Sequence, residues 1–506
     1  MASILVSVIG TIAATYIFLY LLLHITQDRK EPPAIVTRIP FLNTYGIPIY
    51  TLRLPFSRIY IANDTELLPP IQAQWRTISF SVFTANTGEQ LGMTKTSRET
   101  MERGLMDPDS FSISWPKYMQ PAMAPGEDLD RMNKISIEAI ADANQDLAAK
   151  GVGRVGLWQW THDIIIRSTS KAVWGPQNPF EDEKVEEAWK IFEPGFLTLN
   201  IFPFASLLFP QILRARERIA TAMVQYMRHD GPKSGSGLIR RLVEHHSRFG
   251  LPLEDIARSQ IGIGFAVMSN TAPCALWLLY HIFSDERVLE DVRREVAKLV
   301  EMRTTTEEEE GEGRETATNV VDLSALQSSC PVLLSTFQET LRVRTLSPGV
   351  RMLLEDAVVD DTYFLKKGNL LMMPAMVQHT SVPVWGPDAN QFNHLRFKDN
   401  PRLGRTAFRG FGGGHVLCPG RFFARTEIMA LAALLVLRFD VVPAGRKWVE
   451  PTWKNTPTQS GFLIPDHDID VEFRPRGPAN LKWEVVFPSS QSASKVTLED
   501  IDGTPE

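Results

Sequence analysis

From Phe408 to Arg421 the chain reads Phe-Arg-Gly-Phe-Gly-Gly-Gly-His-Val-Leu-Cys-Pro-Gly-Arg, a glycine-rich loop that ends on one cysteine and opens an apolar helical stretch, Phe422 to Leu437. Gly412, Gly413 and Gly414 let the backbone come close to a flat partner and adopt positive φ without a Cβ clash. Cys418 stands just before the helix, where the N-terminal dipole and free backbone N–H groups favour a thiolate. A lone thiolate held in that way suits a heme iron, because an electron-rich sulfur ligand promotes O–O cleavage. A single buried cysteine is also commonly a small hydrophobe, and three glycines make a flexible turn. A phosphate loop would end on Gly-Lys-Ser/Thr, which is missing.

Two further clusters carry chemistry. Asn270, Thr271 and Pro273 interrupt an otherwise apolar helical pattern. Pro273 removes one helix hydrogen bond, so a carbonyl is freed and a hydroxyl beside it can hold a water and pass protons. The bland alternative is that Asn270 and Thr271 satisfy the broken backbone. Glu339 and Arg342 lie three residues apart on a helical stretch, a surface pair in the simplest reading.

These residues need elements to hold them. Short alternating segments from about Ile35 to Ala62 read as strands of a small sheet. Residues 66 to 250 are mostly helical by period. Leu253 to Phe283 is hydrophobic on most faces and begins after Pro252 with Glu254 and Asp255, so it predicts a helix buried through the middle of the domain. Ser284 is the expected cap of a helix from Asp285 to Glu301. Thr304 to Glu315, rich in glutamate, reads as a solvated acidic loop. Pro331 to Arg344 is a helix by pattern.

Phe411 seven residues and Gly414 four residues before Cys418, with Gly420 two after it, resemble the heme-binding signature of the cytochrome P-450 family. In motif detail the branch of the sterol 7α- and 12α-hydroxylases and prostacyclin synthase is nearest. The resemblance covers about residues 30 to 485. It implies a mostly α fold with a small β subdomain, a b-type heme ligated by Cys418, and a buried Glu339–Arg342 pair joined by Arg396 of Phe392-Asn-His-Leu-Arg-Phe397. It also implies Arg351 facing a heme propionate, Asn270 and Thr271 as the proton-delivering pair, and Thr458 to Pro465 as a final hairpin near the substrate. His379 and Trp385 to Ala389 look like the family's meander before the cysteine. One departure stands out: the family usually has a basic residue two places before the cysteine, and here Val416 occupies it, with His415 one place earlier.

The same resemblance implies a monooxygenase that inserts one oxygen atom from O₂ into a lipophilic substrate such as a sterol, terpenoid or other polycyclic secondary metabolite. Its electrons would come from NADPH through a separate reductase, with cytochrome b5 as a further donor. The chain has no flavin or nicotinamide fingerprint of its own. Between Arg396 and Arg425 seven basic residues (Arg396, Lys398, Arg402, Arg405, Arg409, Arg421, Arg425) outnumber one acid, Asp399; with the triad arginine Arg396 discounted as buried, the rest suit a docking face for an acidic reductase. A heme-thiolate isomerase of peroxides and a non-catalytic heme carrier or sensor remain alternatives.

A net charge of −6 argues against a nucleic-acid partner, and three cysteines make no disulfide framework. Met1 to Ile25 has no charged side chain. About 25 helical residues span roughly 37 Å, enough for a ~30 Å hydrocarbon core. The expected layout is therefore a single-pass anchor (1–27), a heme-thiolate domain (28–485) and a polar tail (486–506), in the endoplasmic reticulum membrane with the catalytic domain cytosolic. The apolar stretch Ile201 to Pro210 reads either as core or as a lip dipping into the membrane. Asn63-Asp64-Thr65 is a glycosylation acceptor that would report a lumenal domain.

Overall fold

The computed structural model describes Ala14, Ile17 and residues 25–35, 47–54, 57–149, 151, 153–196, 198–201, 205–309, 312–445, 447–458, 460–477 and 481–487. The expected anchor and polar tail lie almost wholly outside the described residues, as does part of the 201–210 lip.

The strands, in chain order, are β1 (Ala34–Ile35), β2 (Ile49–Leu54), β3 (Ser57–Ala62), β4 (Ile78–Ser79), β5 (Arg154–Gly156), β6 (Val300–Glu309) and β7 (Glu312–Asp322). They continue with β8 (Arg351–Leu353), β9 (Ala357–Val359), β10 (Tyr363–Leu365), β11 (Leu370–Met372), β12 (Phe439–Pro443), β13 (Asp470–Pro475) and β14 (Lys482–Val486). The largest sheet has the order β1-β2-β3-β11-β8-β4. Its β2–β3 pair, from Ile49 opposite Ala62 to Leu54 opposite Ser57, is the small sheet that the alternating pattern predicts. Strand β8 brings Arg351 into this sheet from the far end of the chain.

Helices make up most of the rest. Those that position the site are α1 (Phe111–Met123), α2 (Glu127–Ala149), α3 (Leu157–Trp174), α4 (Leu253–Met268), α5 (Thr271–Phe283), α6 (Glu286–Val296), α7 (Pro331–Arg344) and α8 (Arg421–Arg438). The long pattern from Leu253 to Phe283 divides at Ser269–Asn270 because Pro273 has no N–H to give the Ser269 carbonyl. Helix α5 is buried at every position, and Trp277 Nε1 donates to Leu463 O at 2.7 Å. Each Leu-sized side chain buried there contributes roughly 1.5–3 kcal/mol. Leu253–Phe283 is long and apolar enough to cross a membrane, but its burial makes it the central helix of the core.

Two expectations require correction. The cap of α6 is Asp285, whose carboxylate accepts from Arg287 N, and the helix stops at Val296 because Val300 already begins β6. Thr304 to Glu315 is no loop: β6 and β7 pair continuously from Val300 opposite Val321 to Glu309 opposite Glu312, and β14 adds parallel to β7. The glutamates concealed a strand signal in the β-branched Thr304, Thr305, Thr306, Thr316 and Thr318.

Glu295 of α6 fastens α7. Its carboxylate accepts from Val332 N at 2.9 and 2.8 Å and from Leu333 N at 3.1 Å, filling the orphan donors of the α7 N-terminus.

Candidate active site

The cysteine loop is folded on itself before α8 starts. Cys418 N donates to Phe411 O at 2.9 Å, Gly412 N to Arg409 O at 3.1 Å and Leu417 N to Gly414 O at 3.1 Å. Gly412 and Gly414 have φ of +80° and +59°, the left-handed turns that their lack of a Cβ permits. A Cβ at Gly410 would lie 2.9 Å from Leu341 Cβ, so the loop packs directly on α7. A Cβ at Gly420 would lie 3.7 Å from Cys418 Sγ, close beside the sulfur.

Burial pushes the Cys418 thiol up, while the Gly420 N–H, the Arg421 charge and the Arg421 N–H pull it down without prevailing. The expectation that the helix N-terminus by itself favours a thiolate is therefore corrected. Desolvation wins, and a cation at the sulfur is what would displace the proton. Cys274 and Cys330 are buried core residues, and burial pushes the Cys330 thiol up to about 12.

The Glu339 fork is assembled as the resemblance implies. Arg342 Nε and Nη2 donate to Glu339 Oε2 and Oε1, each at 2.8 Å, with both side chains fully buried. Arg342 Nη1 donates to His379 O and Ala389 O, each at 2.6 Å. Arg396 Nε donates to both Glu339 oxygens at 3.1 and 3.2 Å, and its Nη2 reaches Asp388 Oδ2 at 2.9 Å. One carboxylate thus ties α7 to residues 379–397, which lead into the cysteine loop.

Arg396 is inside, as its place in the triad implies, and burial removes Arg409 and Arg425 from the expected docking face as well, leaving Lys398, Arg402 and Arg405 exposed and Arg421 half-buried. Sequence reasoning misplaced Arg409 and Arg425. For Arg409 the available signal was its setting between the apolar Ala407-Phe408 and Gly410-Phe411, a poor place for a solvated charge. Arg351 Nη1 donates to Val350 O at 2.7 Å, and its guanidinium lies 5.4 Å from the Phe80 ring. Burial, and then the neighbouring Arg409 charge, depress its pKa to about 9. His415 packs on Trp75 with ring centroids 4.2 Å apart, and burial with the Arg76 and Lys117 charges lowers its pKa.

At the helix break, Thr271 Oγ1 donates to Val267 O at 2.8 Å. Ala266 and Asn270, one turn apart in the middle of the core helix, are exposed. Asn270 Oδ1 would lie 2.3 Å from a Cβ at Gly461. The Gly461 carbonyl accepts from Leu346 N at 2.9 Å and Ser347 N at 3.1 Å. Contacts therefore run from Asn270 through Gly461 to Leu346 and Ser347, and Arg351 lies near enough to Arg409 of the cysteine loop to feel its charge. The expected final hairpin is a loop joined to α7 by one bridge, Thr345 to Phe462, and Phe462 and Leu463 are buried.

These residues fit a heme. A glycine cradle supports the sulfur, Ala266 and Asn270 are exposed in the middle of the otherwise buried central helix, and the buried Arg351 and Arg409 guanidiniums lie near one another.

Comparison with known proteins agrees. The cytochrome P450 family model matches residues 182–473, more than half of the chain. Cytochrome P450 monooxygenase nodJ of Hypoxylon pulicicidum is 29% identical over 504 residues, 93% of this chain and 95% of its own. Cytochrome P450 7A1 of Oryctolagus cuniculus is 26% identical over 278 residues, 51% of this chain and 53% of its own. The solved structure of retinoic acid bound cyanobacterial CYP120A1 covers 85% of this chain and 92% of its own with a TM-score of 0.65 at 17% identity, a likeness of fold. The chain belongs to the cytochrome P450 family, oxidoreductases that bind heme through an axial cysteine thiolate.

Proposed function

We propose that this chain is a membrane-anchored monooxygenase of a lipophilic substrate, a sterol, terpenoid or similar polycyclic metabolite, with Cys418 as the iron ligand. The observation that carries the reading is the half-buried Cys418 sulfur, held beside Gly420 by a loop that closes on Phe411 O. Heme, when bound, supplies the iron at which O₂ is activated and one of its oxygen atoms transferred.

The chain's own residues do the rest. Phe411, Gly414 and Gly420 shape the cradle, and Arg351 faces the heme carboxylates. Glu339, Arg342 and Arg396 lock the segment leading to the sulfur. Thr271 and Asn270 handle protons at the opening. The Thr271 hydroxyl donates its hydrogen bond to Val267 O, so its oxygen is left to accept from a water and position that water as the proton donor. Asn270 cannot ionise and orients that water.

Electrons come from NADPH through a separate flavoprotein reductase docking at Lys398, Arg402 and Arg405, with cytochrome b5 as a second donor. Residues 1–27 anchor the chain in the endoplasmic reticulum membrane, and the 201–210 lip rests on its cytosolic surface. Leu207 and Leu208, 81% and 57% exposed, support that contact.

The test is spectroscopic. Reduced protein under CO is expected to show the red-shifted Soret band of thiolate ligation, and Cys418→Ser to abolish it. A band that survives in the variant overturns the ligand assignment. Turnover that needs neither O₂ nor reductase overturns the monooxygenase reading in favour of the isomerase.

A further inference from the structure

The uncharged run that begins at Met1 ends on Ile25, which is 80% exposed, and the residues after it are strapped to the domain. Thr51 N and Oγ1 donate to Pro33 O and Pro32 O at 2.9 and 2.8 Å, and Phe364 N donates to Lys30 O at 2.8 Å. The segment is therefore held along β2 and β10. We propose that the cations gathered around Glu31 at this exit are a docking surface for anionic phospholipid headgroups. The proposal rests on the membrane-anchor reading above and adds the lipid class and the surface that meets it.

The cations converge from three elements. Glu31 is buried, and its carboxylate accepts from Tyr60 OH at 2.9 Å and from Asp28 N at 2.7 Å. Arg58 Nε stands 3.1 Å from one of its oxygens and Lys366 Nζ 3.4 Å from the other. Arg58 Nη2 also donates to Thr26 O at 3.2 Å, and Arg53 Nη2 donates to Thr26 Oγ1 at 2.5 Å. Side chains from β2, β3 and the turn after β10 thus close on residues 26–31, directly beyond the apolar run.

They carry more charge than the fold needs. One cation would neutralise the buried Glu31. Instead Arg53, Arg58 and Lys366, with the exposed Arg29 and Lys30, face only Asp28 and Glu31, and among the described residues no other carboxylate pairs with them. Lys367, next along, is offset by Asp356, which accepts from its N–H at 2.7 Å.

Depth supplies the partner. A helix leaving a ~30 Å hydrocarbon core delivers its next residues into a headgroup layer roughly 5–7 Å thick on each side. Thr26 follows the apolar run directly, so the guanidiniums bonded to it sit at that level. The cytosolic leaflet is anionic, and its phosphates offer several acceptors to a guanidinium fork. Arg58 commits only Nε and Nη2 to the protein.

In the experiment the full chain with its heme is reconstituted in vesicles. Electron spin resonance of spin-labelled lipids then compares phosphatidylserine with phosphatidylcholine at the protein boundary. The serine lipid is expected to be favoured about fivefold, the effect of one unneutralised cation at the surface. The preference should fall to near parity in 1 M salt, where screening acts over about 3 Å. Arg53→Gln, Arg58→Gln and Lys366→Gln together should cut it at least about threefold. Arg53→Lys with Arg58→Lys keeps the charge and should keep the preference. A triple variant with the unmodified preference overturns the proposal. So does loss in the lysine variant, or an unmodified protein that prefers neither lipid. Where the triple variant fails to fold, Lys366→Gln decides, because that side chain is 29% exposed and its loss leaves the Arg58–Glu31 pair in place. It must lower the preference while the reduced CO band stays where it was. Failure of the anchor reading would appear separately, as release of unmodified protein from the vesicles by alkaline carbonate, and would overturn this proposal with it.

Discussion

Glu427 lies nine residues beyond Cys418, on the helix α8 that follows it, fully buried. Its carboxylate accepts from Ser136 Oγ at 2.6 Å, Ser168 Oγ at 2.8 Å and Thr169 Oγ1 at 2.9 Å, tying α8 to α2 and α3. Burial outweighs those hydroxyls and raises its pKa to about 7. A carboxyl raised on folding stabilises the fold below its unfolded value, near 4.5, and that contribution is lost as pH climbs to about 7. It amounts to roughly 3 kcal/mol at most. Glu427→Gln is therefore expected to flatten stability between pH 4.5 and 7 relative to the unmodified protein. Thermal melts of both across that window check it, and parallel curves would show that Glu427 does not titrate there. Thr271→Ala tests the other solitary side chain. Heme content and substrate affinity should hold while NADPH electrons are diverted to hydrogen peroxide. Full coupling would leave the Thr271–Val267 bond a purely structural one.

At the scale of elements the Glu339 fork decides the order of the loops around the sulfur. Glu339→Gln leaves the buried Arg342 without its charge partner and Arg396 with Asp388 alone, at about 3–5 kcal/mol. The expected result is little folded holoprotein, and an unchanged melting temperature would refute it. Much of this layer was legible in advance. Helices α7 and α8, the break at Pro273, and the Glu339–Arg342–Arg396 set follow from local pattern and from a signature whose spacing is short. The β6–β7 hairpin was not legible. Its glutamates read as solvated loop and masked the β-branched threonines of two locally paired strands, and the third strand, β14, comes from some 160 positions later.

For the molecule as a whole, the proposed membrane contact would divide between two apolar segments, residues 1–27 and 201–210. Removing residues 1–30 should leave part of the protein on membranes, and serine at Leu207 and Leu208 should then release it. Complete release by truncation alone, measured by flotation with liposomes, would remove the lip from the reading. Asn63 is half-buried and its Nδ2 donates to Ile47 O at 3.2 Å; a glycosidase-sensitive mass shift at Asn63 would place the domain in the lumen and refute the cytosolic reading.

The sequence by itself determined the class of the protein, because the cysteine loop is contiguous and each glycine in it answers to local backbone geometry or local clearance. It determined the central helix too, since an apolar run of 31 residues broken by proline has few other resting places. Only the tertiary structure decided which charges serve which purpose. Arg405 and Arg409 are four residues apart and look alike in the sequence, yet one is exposed and the other lies under Gly413 beside Arg351. Burial is set by what packs above a residue, and that comes from β8 and residues 379–409 meeting in space. Desolvation, which follows from the same packing, also decided that the Cys418 sulfur keeps its proton until a cation takes its place.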